Sequence, residues 1–452
     1  MEKTGIHSLE SEKLSRLLVK YCIPSLASSL VTSVYNIVDQ LFIGQKLGIN
    51  GNAATNVIFP IITLITALSL MCGVGSSANM NLALGNNDQE RAKKVVGNGF
   101  VLMTGCGLCL TALMLLFPIP VLKLLGCTEL LLPYACSYGM IVAVGFAFSL
   151  IGAAGPFLIR ADGSPMYALA SIAVGAGLNI VLDAWFVMVL EWGIPGAAWA
   201  TVISQAVSAM MVLWYLRRYR TVKLERTDFV PNGELLRSIA LLGAGPAFNF
   251  MTQALSLVFL NNALRIYGSA SVYGSEITLA VAGVANKVNT LAVAVVTGLT
   301  NGMQPIISYN YGRKNYKRVV ETAKTVLGMV LTAGFVIFLC YQFLPVPIVS
   351  LFGEGNDLYF AFAKKYFRIY LMLICLNGMQ SSVAGFFSAQ GKPGKSILIS
   401  LTRQVLFLTP LLVILPLFFG LNGVLAAGPL ADFAMACVAT YLFVSEIRKL
   451  NH

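Results

Sequence analysis

The chain has 452 residues, of which 57% are hydrophobic and 11% are charged, and its formal net charge is +12. Soluble proteins have about 25% charged residues, so the composition excludes an ordinary soluble protein and indicates a membrane protein. A positive charge of this size would also suit a nucleic-acid-binding protein. Because the basic residues lie in short loops between apolar runs, we expect no nucleic-acid partner.

Twelve apolar runs follow one another along the chain. Each has about 20 residues or more, which is the length that a helix needs to cross a bilayer. The runs of the first half cover 17–43, 53–80, 93–117, 130–158, 166–190 and 195–216. Those of the second half cover 236–264, 277–302, 320–343, 360–387, 396–417 and 422–445. The predicted fold is therefore an all-α integral membrane protein with twelve transmembrane helices.

The two halves of the chain repeat each other. LGNNDQER at 84–91 returns as YGRKNYKR at 311–318, and RADGSP at 160–165 returns as SAQGKP at 388–393, so the offsets are 227 and 228 residues. Six crossings bring the chain back to the side from which it started, so the second half enters the membrane as the first does. We predict two parallel six-helix lobes related by a pseudo-two-fold axis along the membrane normal.

The predicted domain boundaries follow from this repeat: an N-terminal lobe at 1–216, a polar cytoplasmic linker at 217–235 and a C-terminal lobe at 236–452. The loops also predict the orientation. With the N-terminus inside, the inner segments contain 23 basic residues and the outer segments contain six. This bias predicts that both termini lie in the cytoplasm.

Two acidic residues lie inside predicted spans of the first lobe, Asp39 in the first span and Asp183 in the fifth. A charged group is costly in the hydrocarbon layer, so such residues indicate function or a buried partner. Counted from the outer helix ends, Asp39, Asp183 and Thr201 lie at depths of about 8, about 12 and about 9 Å. Tyr35 and Asn179 precede the two acids by four residues and share their helix faces.

These five residues predict a site for a proton or a cation in the outer half of the first lobe. Two alternatives stay open. Asp39 lies near a helix end, from which its carboxylate would reach the membrane surface. Asp183 would have a purely structural role if it served only to pack its helix.

The second lobe does not repeat this acidic pair. In the register of the repeat, Asp39 corresponds to Asn261, and Asp183 corresponds to Pro410 or Leu411. We therefore expect the ion chemistry to be restricted to the first lobe.

Three other charged residues lie within spans of the second half: Lys287, Arg403 and Asp432. An ion pair within or between the lobes would neutralise them. The alternative is that they line the cavity and bind substrate or act in gating.

The sequence contains no arrangement typical of an enzyme or a metal protein. The two histidines, His7 and His452, lie at the ends of the chain. Cys106 and Cys109 form a C-x-x-C motif inside an apolar span, where no charged or histidine neighbour activates a thiolate. We expect no catalytic residues, no cofactor and no metal site, apart from a coupling H⁺ or Na⁺.

Several segments are characteristic of one family: PSLASSLVTSVYNIVDQLFIG at 24–44, RADGSP at 160–165, LNIVLD at 178–183, GIPGAAWAT at 193–201 and QPIISYNYG at 304–312. Over essentially the whole chain the sequence resembles multidrug and toxin extrusion (MATE) transporters, in particular the bacterial damage-inducible and staphylococcal-type pumps.

The resemblance implies roles for several residues. In that family the positions of Asp39, Asn179, Asp183 and Thr201 form a coupling site for protons or Na⁺, and the first helix bends at the position of Pro24 during gating. Sodium-coupled relatives of the vibrio type have acidic residues in spans seven and ten. Here 236–264 and 367–387 contain no Asp or Glu, so the first lobe is the better candidate for coupling.

We therefore expect an antiporter of the bacterial inner membrane, driven by protons in preference to Na⁺, that exports amphipathic cationic drugs or toxins by alternating access. Its expected partners are the small-molecule substrate and the lipid bilayer, and it is expected to be a monomer. One alternative is a lipid-linked-saccharide flippase, in which Lys287 and Arg403 would meet the pyrophosphate. The other is a membrane scaffold or receptor that transports nothing.

Overall fold

The computed structural model describes residues 8–46, 48–129, 131–352 and 355–451. Residues 1–7 of the predicted N-terminal lobe and residue 452 of the C-terminal lobe lie outside the described residues. The described chain is built of long helices, as expected for apolar segments that must satisfy every backbone N–H and C=O without water.

The helices of the first half are α1 (Ser8–Ser11), α2 (Leu14–Lys46), α3 (Gly48–Gly85), α4 (Gln89–Leu116), α5 (Pro118–Leu124), α6 (Leu132–Val144), α7 (Phe146–Ala161), α8 (Pro165–Asp183) and α9 (Gly193–Leu216). Those of the second half are α10 (Gly233–Ser269), α11 (Gly274–Gly312), α12 (Tyr316–Phe343), α13 (Pro345–Ser350), α14 (Asp357–Ile369), α15 (Ile374–Ala389), α16 (Pro393–Leu401) and α17 (Thr409–Asn451). Two π-helical segments, Ala184–Val189 and Thr402–Leu408, and a 3₁₀ turn, Arg226–Phe229, join some of these helices.

Eight helical segments of the described chain are long and apolar enough to cross a membrane, and ten are if each bent pair counts as one crossing. The bent pairs are α6 with α7, at 52°, and α14 with α15, at 49°. The 59-residue segment Pro393–Asn451 contains two crossings, because Gly420 breaks it with a φ of 55°. Helix α10 is not among these segments, but with 37 residues it is long enough for a further crossing. The result agrees with the twelve transmembrane helices predicted from the sequence.

The hydrophobic core differs between the two ends of the molecule. At the end where the chain begins and finishes, which we call the terminal side, one continuous core contains residues of both halves, such as Leu17 and Met303. Toward the opposite end the core divides. One part, around Ile58, belongs to the first half, and the other, around Phe362, belongs to the second. Among the described residues, the hydrophobic core therefore joins the two lobes on the terminal side and is divided between them at the opposite end.

Glycines bring the two lobes into backbone contact on the terminal side. A Cβ atom on Gly75 of α3 would lie 2.0 Å from the carbonyl oxygen of Ile239 in α10. A Cβ atom on Gly243 of α10 would lie 1.9 Å from the carbonyl oxygen of Met71. Any side chain larger than hydrogen would push these helices apart, so the closed packing depends on glycine.

Gly85 and Gly312 also meet across the interface between the lobes. They occupy equivalent positions in the sequence repeat, 227 residues apart. A Cβ atom on Gly85 would lie 2.9 Å from Cα of Gly312. Two equivalent residues touch only where the symmetry axis passes between them, so this contact marks the pseudo-two-fold axis of the two-lobed fold.

Helix α1 bridges the lobes at the same end. Leu9 is fully buried, and its carbonyl oxygen accepts a hydrogen bond of 3.0 Å from Nδ2 of Asn310 at the end of α11. Glu10 forms an ion pair with Arg313, with 3.3 Å between Oε2 and Nε. The same guanidinium donates to Oδ1 of Asn87 at 3.0 Å. Helix α1 is thus attached to the second lobe as well as to the first.

The segment between the lobes is fixed to the first lobe. The buried Asp162 carboxylate accepts hydrogen bonds of 2.9 Å from the backbone N–H groups of Arg220 and Thr221. Burial raises the pKa of Asp162, and these hydrogen bonds partly oppose that shift. Farther along, the backbone N–H of Asn232 donates to Oδ1 of Asn98 at 2.7 Å. Helix α10 begins at the next residue, so the last three residues of the predicted linker are helical.

Candidate functional site

Two carboxyl groups from different helices meet in the first lobe. Asp39 lies in α2, and Asp183 is the last residue of α8, which packs against α2. The Asp183 carboxyl lies close to the Asp39 carboxyl. Two ionised carboxylates at this separation repel each other strongly in a poorly hydrated site. The arrangement is therefore favourable only with a proton or a cation between them.

Asn179 lies one turn before Asp183 on the same face of α8. The two side chains are only 2% and 1% exposed. Within the described part of the chain, the Asn179 amide and both Asp183 oxygens have no hydrogen-bond donor or acceptor of ordinary geometry. Buried polar atoms are nearly always partnered in folded proteins, so these atoms point to a bound species such as a proton, a cation or water.

Helix α9 places Thr201 at the level of the carboxyl pair. Leu182 and Ala200, the residues before Asp183 and Thr201, belong to one small apolar cluster. The Thr201 hydroxyl donates a hydrogen bond of 3.0 Å to the Ala197 carbonyl, which leaves its oxygen lone pairs available. A hydroxyl, an amide and two carboxyl groups are the oxygen ligands that hard cations prefer.

The turn after Asp183 fixes these helices relative to each other. The chain continues as the π-helical segment Ala184–Val189, and such segments occur frequently at functional sites. The rings of Phe186 and Trp192 then stack, with centroids 4.8 Å apart. The backbone N–H of Trp192 also donates to the Phe186 carbonyl at 2.9 Å. The stack holds the start of α9 against the end of α8.

Two tyrosines complete the surroundings of the pair. The hydroxyls of Tyr35 in α2 and Tyr138 in α6 both lie in the electrostatic field of Asp39 and Asp183. Sequence reasoning identified Tyr35 but missed Tyr138, because its helix is joined to α7 through a 52° bend and its register to Asp39 cannot be counted. A tyrosine in an otherwise apolar run was the only signal available.

Pro24 lies inside α2, closer to the terminal side than the carboxyl pair. Proline has no N–H, so the carbonyl of Lys20, one turn earlier, lacks its usual helical partner. Oγ of Ser28 donates to the Pro24 carbonyl at 2.7 Å. Asp39 and Tyr35 therefore belong to the same helix as this weakened turn.

The equivalent positions of the second lobe have a different character. Asn261, opposite Asp39 in the repeat, is exposed. Leu411, opposite Asp183, packs against the apolar core of the second lobe. Within the described residues, no carboxyl pair like that of the first lobe is formed there.

Arg403 and Asp432 form a buried ion pair within the second lobe. The distance from Nε of Arg403 to Oδ1 of Asp432 is 2.5 Å, and their side chains are 10% and 2% exposed. Lys287 was predicted from its position in the sequence to lie well inside the membrane, with an ion-pair partner as one possibility. Its side chain is exposed and does not join this pair, and a position lining the cavity stays a prediction. Whether Lys287 is exposed depends on the rotation of α11 about its axis, and the linear sequence does not reveal that rotation.

Comparison with known proteins agrees with this architecture and covers both halves of the chain. The MatE family model matches residues 24–185 and 251–414, which together make up most of the sequence. The chain belongs to the multidrug and toxin extrusion (MATE) family. As a MATE protein it is a multi-pass secondary transporter, not an enzyme.

Curated relatives match this MATE protein over nearly its whole length. The multidrug export protein MepA of Staphylococcus aureus is 23% identical over 452 residues, covering 99% of this chain and 97% of MepA. The FAD transporter of Shewanella oneidensis is 25% identical over 449 residues, covering 96% of each chain.

Solved structures show the same fold. A MATE transporter of the MOP superfamily, described as outward-facing, superposes with a TM-score of 0.91 at 22% identity, covering 100% of this chain and 99% of the other. A MOP superfamily transporter from Pyrococcus furiosus, described as having a binding pocket of reverse polarity, superposes with a TM-score of 0.90 at 22% identity, with both chains covered completely.

Proposed function

We propose that this MATE protein is a cation-coupled antiporter that exports amphipathic cationic small molecules by alternating access of its two lobes. The observation that carries the proposal is the proximity of the Asp39 and Asp183 carboxyls, with Asp183 buried beside the Asn179 amide, which has no partner among the described residues. Such a pair is favourable with a bound proton or cation and unfavourable without one. Loading and unloading it can therefore bias the conformation of the lobe.

The proposal includes an orientation with both termini in the cytoplasm, based on the excess of basic residues in the loops of that side. The closed terminal side is then cytoplasmic, and the lobes separate toward the outside. A similar structure is described as outward-facing, which supports this assignment. In the outward-open state the carboxyl pair is the group that would receive the coupling ion.

The proton is the preferred coupling ion, because two neighbouring carboxyl groups are suited to hold a single proton. Protonation removes the negative charge that a cationic substrate needs, so proton and substrate exclude each other. Because proton and substrate exclude each other, the entry of a proton is coupled to the export of a substrate. The membrane potential, which supplies about 2.3 kcal/mol per charge per 100 mV, can then drive the exchange. Na⁺ is the second candidate, bound by the oxygens of Asp39, Asn179, Asp183 and Thr201. Tyr35 then positions the pair.

Transport into proteoliposomes tests the proposal. With an imposed pH gradient, ethidium should accumulate against its own gradient in wild-type vesicles, and Asp183→Asn should abolish the gradient-dependent part. Asp357→Asn is the matched control, because it removes one carboxylate from an exposed position in α14. Full gradient-driven transport by Asp183→Asn would show that the coupling assignment is wrong.

Two further arms identify the ion and the substrate class. Replacing the pH gradient by a Na⁺ gradient at constant pH separates the two ions. Because one relative is named an FAD transporter, FAD serves as an anionic probe. If FAD is exported and ethidium is not, the proposed substrate class is wrong while the coupling site stands. An absence of flux for every probe would favour the scaffold or receptor alternative, and movement of a labelled lipid-linked saccharide would favour the flippase.

A further inference from the structure

An apolar groove runs along the outer face of α17 toward the terminal side. It has a volume of about 820 Å³ and lies between α17 and the start of α15. Phe433, Cys437, Tyr441 and Val444 line its wall, and all four are exposed. Because these residues recur every three or four positions, they form one continuous stripe along the helix. The groove belongs to neither the coupling site nor the contact between the lobes.

Two cations stand at the end of the groove. Arg448 and Lys449 line it, and both side chains are exposed. Within the described chain, neither forms an ion pair with an acidic side chain. The neighbouring Glu446 does not neutralise them, because it is 2% exposed and is already paired with both Lys392 and Lys395. A positive charge thus remains where the apolar stripe ends.

The length of the helix from the start of the apolar stripe to the cations matches the thickness of one leaflet of a bilayer. From Phe433 to Arg448 the helix rises about 22 Å. Half of a bilayer, headgroup region included, is about 20 to 22 Å thick. In the orientation proposed above, the stripe lies in the hydrocarbon layer and the cations lie at the cytoplasmic headgroups. An occupant must therefore be apolar over most of its length and anionic at its cytoplasmic end.

We propose that this groove is a binding site for an anionic phospholipid of the cytoplasmic leaflet. An acyl chain lies along Phe433, Cys437 and Val444, Tyr441 contacts the region of the ester groups, and Arg448 and Lys449 bind the phosphate. Anionic lipids concentrate near clustered cations at the cytoplasmic surface, each cation contributing about 1 kcal/mol of attraction. A zwitterionic lipid of the same chain length fills the groove but meets less net attraction at its end.

Native mass spectrometry of the purified protein tests the site directly. The protein in detergent is titrated with phosphatidylglycerol and, separately, with phosphatidylcholine of identical acyl chains. Wild-type protein should bind phosphatidylglycerol more tightly. The double variant Arg448→Gln/Lys449→Gln should weaken that binding by about tenfold or more, because two attractive charges are lost, and should leave phosphatidylcholine binding nearly unchanged.

A matched control removes the same charge elsewhere. Lys317 and Lys324 are exposed residues of α12, and Lys317→Gln/Lys324→Gln should bind phosphatidylglycerol as wild type does. An equal loss in this control would overturn the proposal in favour of general surface attraction. Undiminished binding by Arg448→Gln/Lys449→Gln would overturn it as well, and would be expected if the groove were an apolar contact with a second copy of the chain.

A measurement on the unmodified protein locates the acyl chain. Cys437 is exposed and lines the groove, whereas Cys340 is exposed on α12. Alkylation by a lipid-soluble maleimide, followed peptide by peptide, should slow at Cys437 when phosphatidylglycerol is added and should not change at Cys340. Free glycerol phosphate should protect neither thiol. If phosphatidylglycerol leaves the rate at Cys437 unchanged, the groove is not the binding site. No arm measures transport, so failure here leaves the proposed antiport untouched.

Discussion

The two lobes bury acidic residues within the membrane-spanning region in opposite ways. In the second lobe, the Arg403 guanidinium neutralises Asp432 through a direct contact. In the first lobe, Asp183 faces another carboxyl group and an amide that has no partner among the described residues. An ion pair is complete without a ligand, whereas a carboxyl pair is not. The difference at the level of single side chains explains why we assign ion coupling to the first lobe and a structural role to the pair in the second.

The buried ion pair of the second lobe makes a prediction about stability. Asp432→Asn should lower the free energy of unfolding by about 3–5 kcal/mol, because it leaves the Arg403 charge buried without a counter-charge. Arg403→Met/Asp432→Leu should recover most of that loss, since two apolar side chains replace the pair. Denaturant unfolding in detergent micelles measures both. A double variant as unstable as Asp432→Asn would indicate that the pair does more than neutralise charge.

At the scale of single helices, interruptions of regular geometry coincide with the proposed moving parts. Helix α2 contains both Pro24 and Asp39. Helix α8 ends at Asp183 and passes directly into a π-helical turn. A regular helix resists bending because each residue adds a backbone hydrogen bond, so a missing or displaced bond lowers the cost of bending. The predicted coupling residues Asp39 and Asp183 thus lie on two helices whose regular hydrogen bonding is interrupted.

Pro24→Ala tests this relation. Restoring the N–H at residue 24 lets it bond to the Lys20 carbonyl and favours a straight α2. A proline inside a helix costs about 3 kcal/mol, so the bent and straight populations should change by up to about 100-fold. The rate of gradient-driven ethidium export should fall while the helix content, followed by circular dichroism, stays constant. Pro246→Ala in α10 is the matched control in the other lobe. Equal slowing by both variants would argue against a specific role for α2.

At the scale of the whole molecule, the proposed alternating access would require the terminal side to separate and close again. Close glycine contacts across the interface and the bridging helix α1 hold that side closed. The ion pair between Glu10 of α1 and Arg313 is partly exposed, so it contributes little on its own. The backbone contacts at Gly75, Gly85, Gly243 and Gly312 are therefore the features that fix how closely the lobes approach.

Gly75→Leu should prevent complete closure of the terminal side and shift the population toward lobes that are separated there, because its Cβ would collide with the Ile239 carbonyl. To measure this, spin labels are attached at Arg91→Cys and Lys317→Cys, one on each lobe, in a variant without native cysteines. The distance between the two labels reports the separation of the lobes. The distance should increase in Gly75→Leu. Gly105→Leu is the control, since a Cβ at Gly105 of α4 has no neighbour within 4 Å. An unchanged distance in Gly75→Leu would contradict the importance of these contacts.

The sequence by itself was sufficient for the architecture. Apolar runs of membrane length gave the twelve crossings, and the repeat predicted two parallel lobes, which the Gly85–Gly312 contact places about a common axis. It also identified Asp39 and Asp183, because a charged residue in an apolar run is conspicuous whatever its surroundings. These features depend only on the order of residues along each segment, and that order is known from the sequence without any structure.

Tertiary structure decided which side chains meet. It brought Asp183 close to Asp39, paired Arg403 with Asp432, left Lys287 exposed and placed Tyr138 in the vicinity of the two acids. It also decided that the terminal side is closed. In a soluble protein the apolar stripe of a helix shows which face is buried. A membrane helix is as apolar toward lipid as toward its neighbours, so the rotation of each helix, and with it every contact between helices, is fixed only when the helices pack.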